Sequence, residues 1–296
     1  MFLLFLTILC WSGYYVAGRF ALDAFPPFFV TFLRFALLAL VLLPFYGWPK
    51  IPFWQIAVLS LLLGVVNFGF GLAALGWGLD IPSTIVVSQL SVPLSCVFGA
   101  ILLGDRLGKW QSSGLAVAML GAVFIAGTPN VSSHFGAFLT MLLASASWGL
   151  ANILMKKFGE MKIMPFLGAL SLLSAIPLLI LSMIFETGQV EALQTIGWRE
   201  GFGILYLTFA ATLGAYALWY FLLHRYLASQ ITPVTMLTPF LSFTLAWIFL
   251  GQGISLQVAI AGAITMAGVA MITFRQPRIA MLGKIGLIRR KRNKAQ

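Results

Sequence analysis

Charge is what this sequence has least of. Asp, Glu, Lys and Arg together make up 8% of it, against roughly a quarter of an ordinary soluble domain. A chain of 296 residues could bury a good core, but it would still need a polar surface, and 61% hydrophobic residues with a mean hydropathy of +1.01 leave none. The apolar surface must face lipid. Cysteine is almost missing too: Cys10 and Cys96 both fall in apolar stretches, where a thiol packs as a small side chain, so no disulfide framework is implied. Two histidines, no paired carboxylates and no serine beside a base leave neither a nucleophile constellation nor a metal-ligand cluster. An intramembrane enzyme is therefore not expected, and neither is a metal or other cofactor.

Long polar connections are absent as well. Apolar runs of membrane-spanning length lie near 2–19, 27–46, 53–78, 82–103, 109–127, 136–156, 165–185, 202–223, 229–250 and 256–274. The expected fold is all-α and integral to the membrane, with ten transmembrane helices and the lipid bilayer as its partner. The longest hydrophilic stretch, Glu186 to Glu200, has no room for a soluble domain, so function must reside within the membrane. Met1 to Cys10 lacks a basic start and an Ala-x-Ala site after it, and reads as a retained first helix.

The net charge of +11 would point to nucleic acid in a soluble protein, but its placement points elsewhere. Lys50, Arg106, Lys109, Lys156, Lys157, Lys162, Arg225 and the tail from Arg275 to Lys294 fall on one side of the alternating loops; Arg19 and Arg199 fall on the other, with Asp23, Asp80, Glu186, Glu191 and Glu200. By the rule that Lys and Arg stay cytoplasmic, both termini are cytoplasmic. The tail 276–296 is then a juxtamembrane basic segment suited to anionic headgroups, and no nucleic acid is expected.

The chain also repeats itself. Cys10-Trp11-Ser12-Gly13 recurs loosely as Ser147-Trp148-Gly149. Pro93 followed by Leu103-Gly104-Asp105 recurs as Pro239 followed by Leu250-Gly251-Gln252. The units are 1–128 and 135–275, and with five helices in each the second enters the membrane from the opposite side. Inverted repeats of this kind mark secondary transporters whose substrate site lies between the repeats near the midplane.

These residues carry a resemblance over nearly the whole chain to the EamA-like branch of the drug/metabolite transporter superfamily. The first half matches at Trp11-Ser12-Gly13, Pro26-Pro27, Leu33-Arg34-Phe35, Pro49-Lys50, Gln89 and Leu103-Gly104-Asp105-Arg106-Leu107. The second matches at Ser147-Trp148 with Asn152, Tyr206-Leu207, Ala211-Thr212, Tyr216 with Trp219, Arg225-Tyr226, Pro233 and Leu237-Thr238-Pro239. The second half is most similar to exporters of cysteine, O-acetylserine and related amino acids. Tyr14-Tyr15 stands where relatives usually place an Asn, Gln252 replaces a second acidic residue, and Ala215 replaces a Gly. The resemblance implies a small-molecule substrate, a bacterial inner membrane, and a monomer or weak homodimer.

Polar side chains at mid-span must face other helices or a wet cavity. Asn67, Gln89 and Asn152 offer amides suited to a zwitterion, or else tie helices together. The candidate substrate-binding aromatics are Trp11, Tyr14, Tyr15, Trp148, Tyr216 and Trp219; of these Trp11, Trp148 and Tyr216 sit well inside their spans, where they are expected to wall a cavity, unlike Trp77 at a span end, which reads as interface belt. Pro93 and Pro239 interrupt equivalent helices, as gates or as static kinks. Arg34 lies about two turns into its span, where the expectation is snorkelling to the surface or pairing with backbone carbonyls. No Asp or Glu lies at mid-span and His224 sits at a helix end, so facilitated rather than proton-driven transport is expected. Asn130-Val131-Ser132 fits a glycosylation acceptor. A phosphorylated-metabolite or nucleotide-sugar carrier would want more cavity-facing basic residues than Arg34 alone; a carrier of drugs and a lipid flippase stay open.

Overall fold

The protein is seen in a computed structural model that describes residues 2–226 and 231–274, with His224, Thr232 and Pro233 described by backbone only. The basic tail and the side chain of His224 therefore lie outside the described residues. Among the described residues the secondary structure is helical throughout. Among the described residues nine helices are long and apolar enough to cross a membrane: α1 (Phe2–Leu22), α2 (Pro27–Tyr46), α3 (Phe53–Gly76), α4 (Ile81–Leu103), α5 (Lys109–Ala126), α6 (Phe135–Phe158), α7 (Ile163–Phe185), α8 (Trp198–Leu223) and α10 (Leu256–Phe274). The ninth apolar segment, α9 (Val234–Leu250), is shorter.

Most boundaries agree with the apolar runs, and the exceptions have local causes. The Glu186–Glu200 connection, expected to be polar loop, contains a short helix, Gln189–Gln194. α8 starts at Trp198 rather than 202, with Glu200 in its first turn, where a carboxylate suits the positive end of the helix dipole. The ninth segment begins as 3-10 helix over Thr232–Leu237 and becomes α-helical only at Thr238, with Pro239 in its first turn, where a missing N–H is tolerated.

Four helices are interrupted inside the span. α4 breaks at Gln89-Leu90, between Ile81–Ser88 and Ser91–Leu103, just ahead of the buried Pro93. α1 turns at Gly13. α3 and α8 each carry a π-helical stretch, Ser60–Phe70 and Tyr206–Gly214, a form that is rare and concentrates at functional sites. Both α4 and α9 end on a left-handed glycine, Gly104 (φ 69°) and Gly251 (φ 65°), a stop that a side chain would strain.

Packing follows the same correspondence. α2 lies along α7 and α5 along α10, while α1 packs on α8 and α9 and α6 packs on α3 and α4. The two Trp-containing motifs occupy corresponding seats. On α1, Ser12 Oγ donates to Thr238 O at 3.1 Å, beside the Pro239 break, and Gly13 leaves room for the Tyr206 phenol. On α6, Gly149 lies against Ser91 and Ser95 beside the Pro93 break, where a Cβ would come within 3.0 Å of Ser91 O and Ser95 N, and Ser147 Oγ donates to Leu62 O at 2.7 Å.

Polar contacts gather at one end of the bundle. The Glu186 carboxylate accepts from Phe28 N (2.7 Å) and Phe29 N (3.1 Å), capping the start of α2 from the end of α7. Gln252 Oε1 accepts from Ile81 N at 3.3 Å. Asn130, read from its tripeptide as a glycan acceptor, has both ends of its amide engaged here: Oδ1 accepts from Asp80 N and Nδ2 donates to Gly78 O. Asp23 pairs with Arg19 (3.5 Å) and Arg199 (4.0 Å). At the other end Lys156 pairs with Asp105 at 3.5 Å. Arg19 thus shares an end with Arg199, and Asp105 with Lys156. Trp77 is half-exposed at the end of α3 with its edge against Phe28.

Candidate functional site: an aromatic interior around Arg34

The aromatic side chains picked out by the sequence form two groups, the second of them beside Arg34, for which the sequence reading gave a structural role. Trp11 on α1 meets Tyr216 edge to face (6.0 Å) and Trp219 at a tilt (5.5 Å), both on α8. Three residues along α1, Tyr14 packs edge-on against Tyr15 (5.2 Å) and at a tilt against Phe68 of α3 (6.1 Å), and Phe68 meets Trp148 of α6 at 6.1 Å. Arg34 of α2 adjoins the second group, its guanidinium beside the rings of Phe68 and Tyr14.

Arg34 is 2% exposed and is the largest fully buried side chain. The expectation that it snorkels out or bonds to carbonyls is therefore corrected. Its Nε and Nη2 both donate to Thr212 Oγ1, at 2.9 and 2.5 Å, and its guanidinium lies 4.2 Å from the Phe68 ring centroid and 5.3 Å from those of Tyr14 and Phe35. The reason is geometric: the face of α2 bearing Arg34 turns inward against the π-helical part of α8. Phe68 sits on the π-helical stretch of α3 and Thr212 on that of α8. The two corresponding distortions therefore converge on one cation, which aromatic faces and a hydroxyl hold without neutralising it. The ion pairs among the described residues are those of Arg19, Arg199 and Lys156, and none reaches Arg34.

Trp11, Tyr14, Tyr15, Asn67, Gln89, Trp148, Asn152, Tyr216 and Trp219 all keep part of their surface accessible. Gln89, at the break in α4, has its Nε2 3.5 Å from Met266 Sδ of α10. The amides of Asn67, beside Phe68, and Asn152, one turn beyond Trp148, make no hydrogen bond among the described residues. The structure thus brings Tyr14, Tyr15 and Trp148 together through Phe68, with Tyr14 and Phe68 beside Arg34, and groups Trp11 with Tyr216 and Trp219, while Asn67, Gln89 and Asn152 lie on α3, α4 and α6 outside these ring contacts. Among the described residues no group of His, Cys, Asp and Glu could hold a metal.

A separate groove of about 510 Å³ runs between α2 and α7. Its lining, from Phe32 and Ala36 to Ile180 and Met183, is apolar throughout, and Leu40, Ile176 and Met183 are exposed beside it. It offers no polar group to orient a solute and is set aside as the site.

Such an arrangement, helices of membrane-spanning length around a narrow polar and aromatic interior, defines a multi-pass membrane protein built to handle a small solute. The model of the EamA-like transporter family matches residues 1–127 and again 135–274, and the chain belongs to that family. Among its relatives are two proteins named "Probable amino-acid metabolite efflux pump". The one from Salmonella typhimurium is 28% identical over 282 residues, covering 92% of this chain and 94% of that one. The one from Escherichia coli is 26% identical over 277 residues, covering 91% and 93%. "Uncharacterized inner membrane transporter YedA" of Escherichia coli is 25% identical over 214 residues, covering 69% and 68%. A solved crystal structure shares the fold at TM-score 0.63 and 20% identity, covering 94% of this chain and 97% of that one.

Proposed function

We propose that this transporter exports small neutral amino acids or their derivatives across a bacterial inner membrane by alternating access, without proton coupling, as a monomer or weak homodimer. The observation that carries the reading is the interior just described. It gathers three phenols and three indoles near a single cation, with the uncommitted amides of Asn67 and Asn152 on the neighbouring helices α3 and α6, a set that suits a zwitterion with a modest side chain. The relatives' names point to the same class of cargo and to the inner membrane.

In this reading the chain forms ten helices as two inverted five-helix repeats, with both termini cytoplasmic. Support comes from the pairing of α2 with α7 and α5 with α10, the matching π-helical stretches of α3 and α8, and the matching seats of the two Trp motifs. The conformation is then inward-facing. The non-cytoplasmic end is closed by the Glu186, Gln252 and Asn130 contacts and by the continuously buried Ile81–Val87 segment of α4. The cytoplasmic half of α4, from Ser91, is mostly only half-buried. Pro93 and Pro239 sit at the two breaks and serve as the hinges of the gates.

The test is efflux of labelled cysteine, O-acetylserine, threonine and phenylalanine from proteoliposomes, with and without a pH gradient. Saturable efflux unaffected by the gradient is the expected result. The apolar groove between α2 and α7 favours one alternative, a lipid flippase. Failure to release any amino acid, with lipid scrambling by the same preparation, would replace the first reading with the second.

A further inference from the structure

Clustered aromatic rings ordinarily attract cations. The face of each ring is electronegative, and several rings around one space make a cage for ammonium and quaternary ammonium groups. The interior of this protein has the rings for such a cage: Tyr14, Phe68 and Trp148 are linked ring to ring, and each keeps part of its surface accessible. A charge belonging to the protein is already seated on two of them. The Arg34 guanidinium lies over Phe68 at 4.2 Å and over Tyr14 at 5.3 Å, while Thr212 Oγ1 accepts from its Nε and Nη2.

That charge is permanent and unneutralised. A guanidinium keeps its proton in a protein. All seven acidic residues of the chain, Asp23, Asp80, Asp105, Glu160, Glu186, Glu191 and Glu200, lie at helix ends or in connections, and the ion pairs among the described residues do not include Arg34. Glu186, which caps α2, accepts instead from Phe28 N and Phe29 N. A second cation drawn to Phe68 would stand about 8 Å from the guanidinium, given the usual seat about 4 Å from a ring centroid. At an effective dielectric of about 20, like charges at that separation weaken binding by roughly thirtyfold. A solute without net charge carries no such penalty.

We infer that Arg34 sets the charge selectivity of the interior: by occupying Phe68 and Tyr14, it makes an aromatic surface that would otherwise take organic cations reject them, and leaves it open to neutral and zwitterionic solutes. The excluded class is cationic amino acids, amines and quaternary ammonium compounds. Arg34 is 2% exposed, so it acts through the rings and its field rather than by touching the solute. The inference deepens the exporter reading and rests on it for the interior being where the solute binds.

The experiment is thermal stabilisation of the full chain in non-ionic detergent by choline and by dimethylbutanol, its uncharged carbon isostere. Dimethylbutanol is expected to stabilise the wild type at concentrations at least about tenfold lower than choline. Arg34→Gln should invert that order, because the vacated rings favour a quaternary ammonium, and Arg34→Lys should keep it. A loss of packing alone would weaken both ligands together and could not invert them. Adding Phe68→Leu to Arg34→Gln should remove the gain in choline binding, which ties it to the interior. The wild-type order is a test in itself if Arg34→Gln fails to fold. Choline stabilising the wild type as well as its isostere does, no stabilisation by either, or an unchanged order in Arg34→Gln would overturn the proposal. Labelled amino-acid flux in proteoliposomes separates the two readings. Flux without discrimination between the isosteres removes the charge filter and leaves the exporter; discrimination without flux leaves the filter and removes the exporter.

Discussion

Arg34 on α2 places both its Nε and its Nη2 on the single hydroxyl of Thr212 on α8, and Thr212 passes its own proton to Leu207 O at 2.6 Å, five residues back along the same π-helical stretch. One hydroxyl therefore serves two ends: it accepts from a buried cation and closes a backbone irregularity. Thr212→Val keeps the shape and removes the acceptor. Leaving a buried charged donor unmet costs about 1–3 kcal/mol, so the melting temperature in detergent should fall by several degrees, while Thr212→Ser should stay near wild type. A Val variant as stable as wild type would show that Arg34 is satisfied elsewhere.

The contact between α5 and α10 is made backbone to backbone. A Cβ on Gly268 would strike Ala118 N and come within 2.5 Å of Gly114 O. Neither atom can move without the whole helix moving, and membrane helices depend on such small-residue contacts for their association. Gly268→Ala should destabilise by about 1–3 kcal/mol, the usual penalty for overpacking. Gly136→Ala, where a Cβ meets nothing within 4 Å, should be silent. Equal melting temperatures for the two variants would contradict the packing described.

Accessibility of thiols reads the closed end directly. Cys96 lies in the half-buried part of α4 that faces the cytoplasm in the inward-facing reading, whereas Ser83 is fully buried near the opposite end. In a Cys10→Ser background, a membrane-impermeant maleimide should label Cys96 from the cytoplasmic face of inside-out vesicles. In a background lacking both native cysteines, Ser83→Cys should resist the reagent from either face. Labelling of Ser83→Cys from the non-cytoplasmic face, with Cys96 protected, would mean that the resting protein faces outward.

The helices and the membrane setting were legible in the sequence because hydropathy over about twenty residues averages away local detail. That Trp11, Trp148 and Tyr216 pack against other rings was legible for a similar reason: they are too far from the span ends to be belt residues. The π-helical stretches were not, since Ser60–Phe70 and Tyr206–Gly214 are composed like ordinary span sequence and take that form only in the packed bundle. Arg34 was misread because depth along a helix does not reveal which way the side chain turns. A signal was nonetheless present: a cation two turns into a span, in a chain with no intramembrane carboxylate, needs some partner, and Thr212 lies in a segment the family resemblance had already marked. The late start of regular helix in α9 follows from Pro233 and Pro239, whose missing N–H groups the apolar pattern ignores.

The central claim, that the aromatic interior is where the solute binds, is tested most directly by efflux from proteoliposomes of wild type, Trp148→Ala and Trp77→Ala, using whichever labelled amino acid the wild type releases best. Trp148 meets Phe68 in the interior, and Trp77 is half-exposed at the end of α3. Truncating an aromatic that contacts the solute costs about 2 kcal/mol or more, so Trp148→Ala should lower the efflux rate at sub-saturating solute at least about tenfold, with Trp77→Ala close to wild type. Equal efflux by all three proteins would contradict the account.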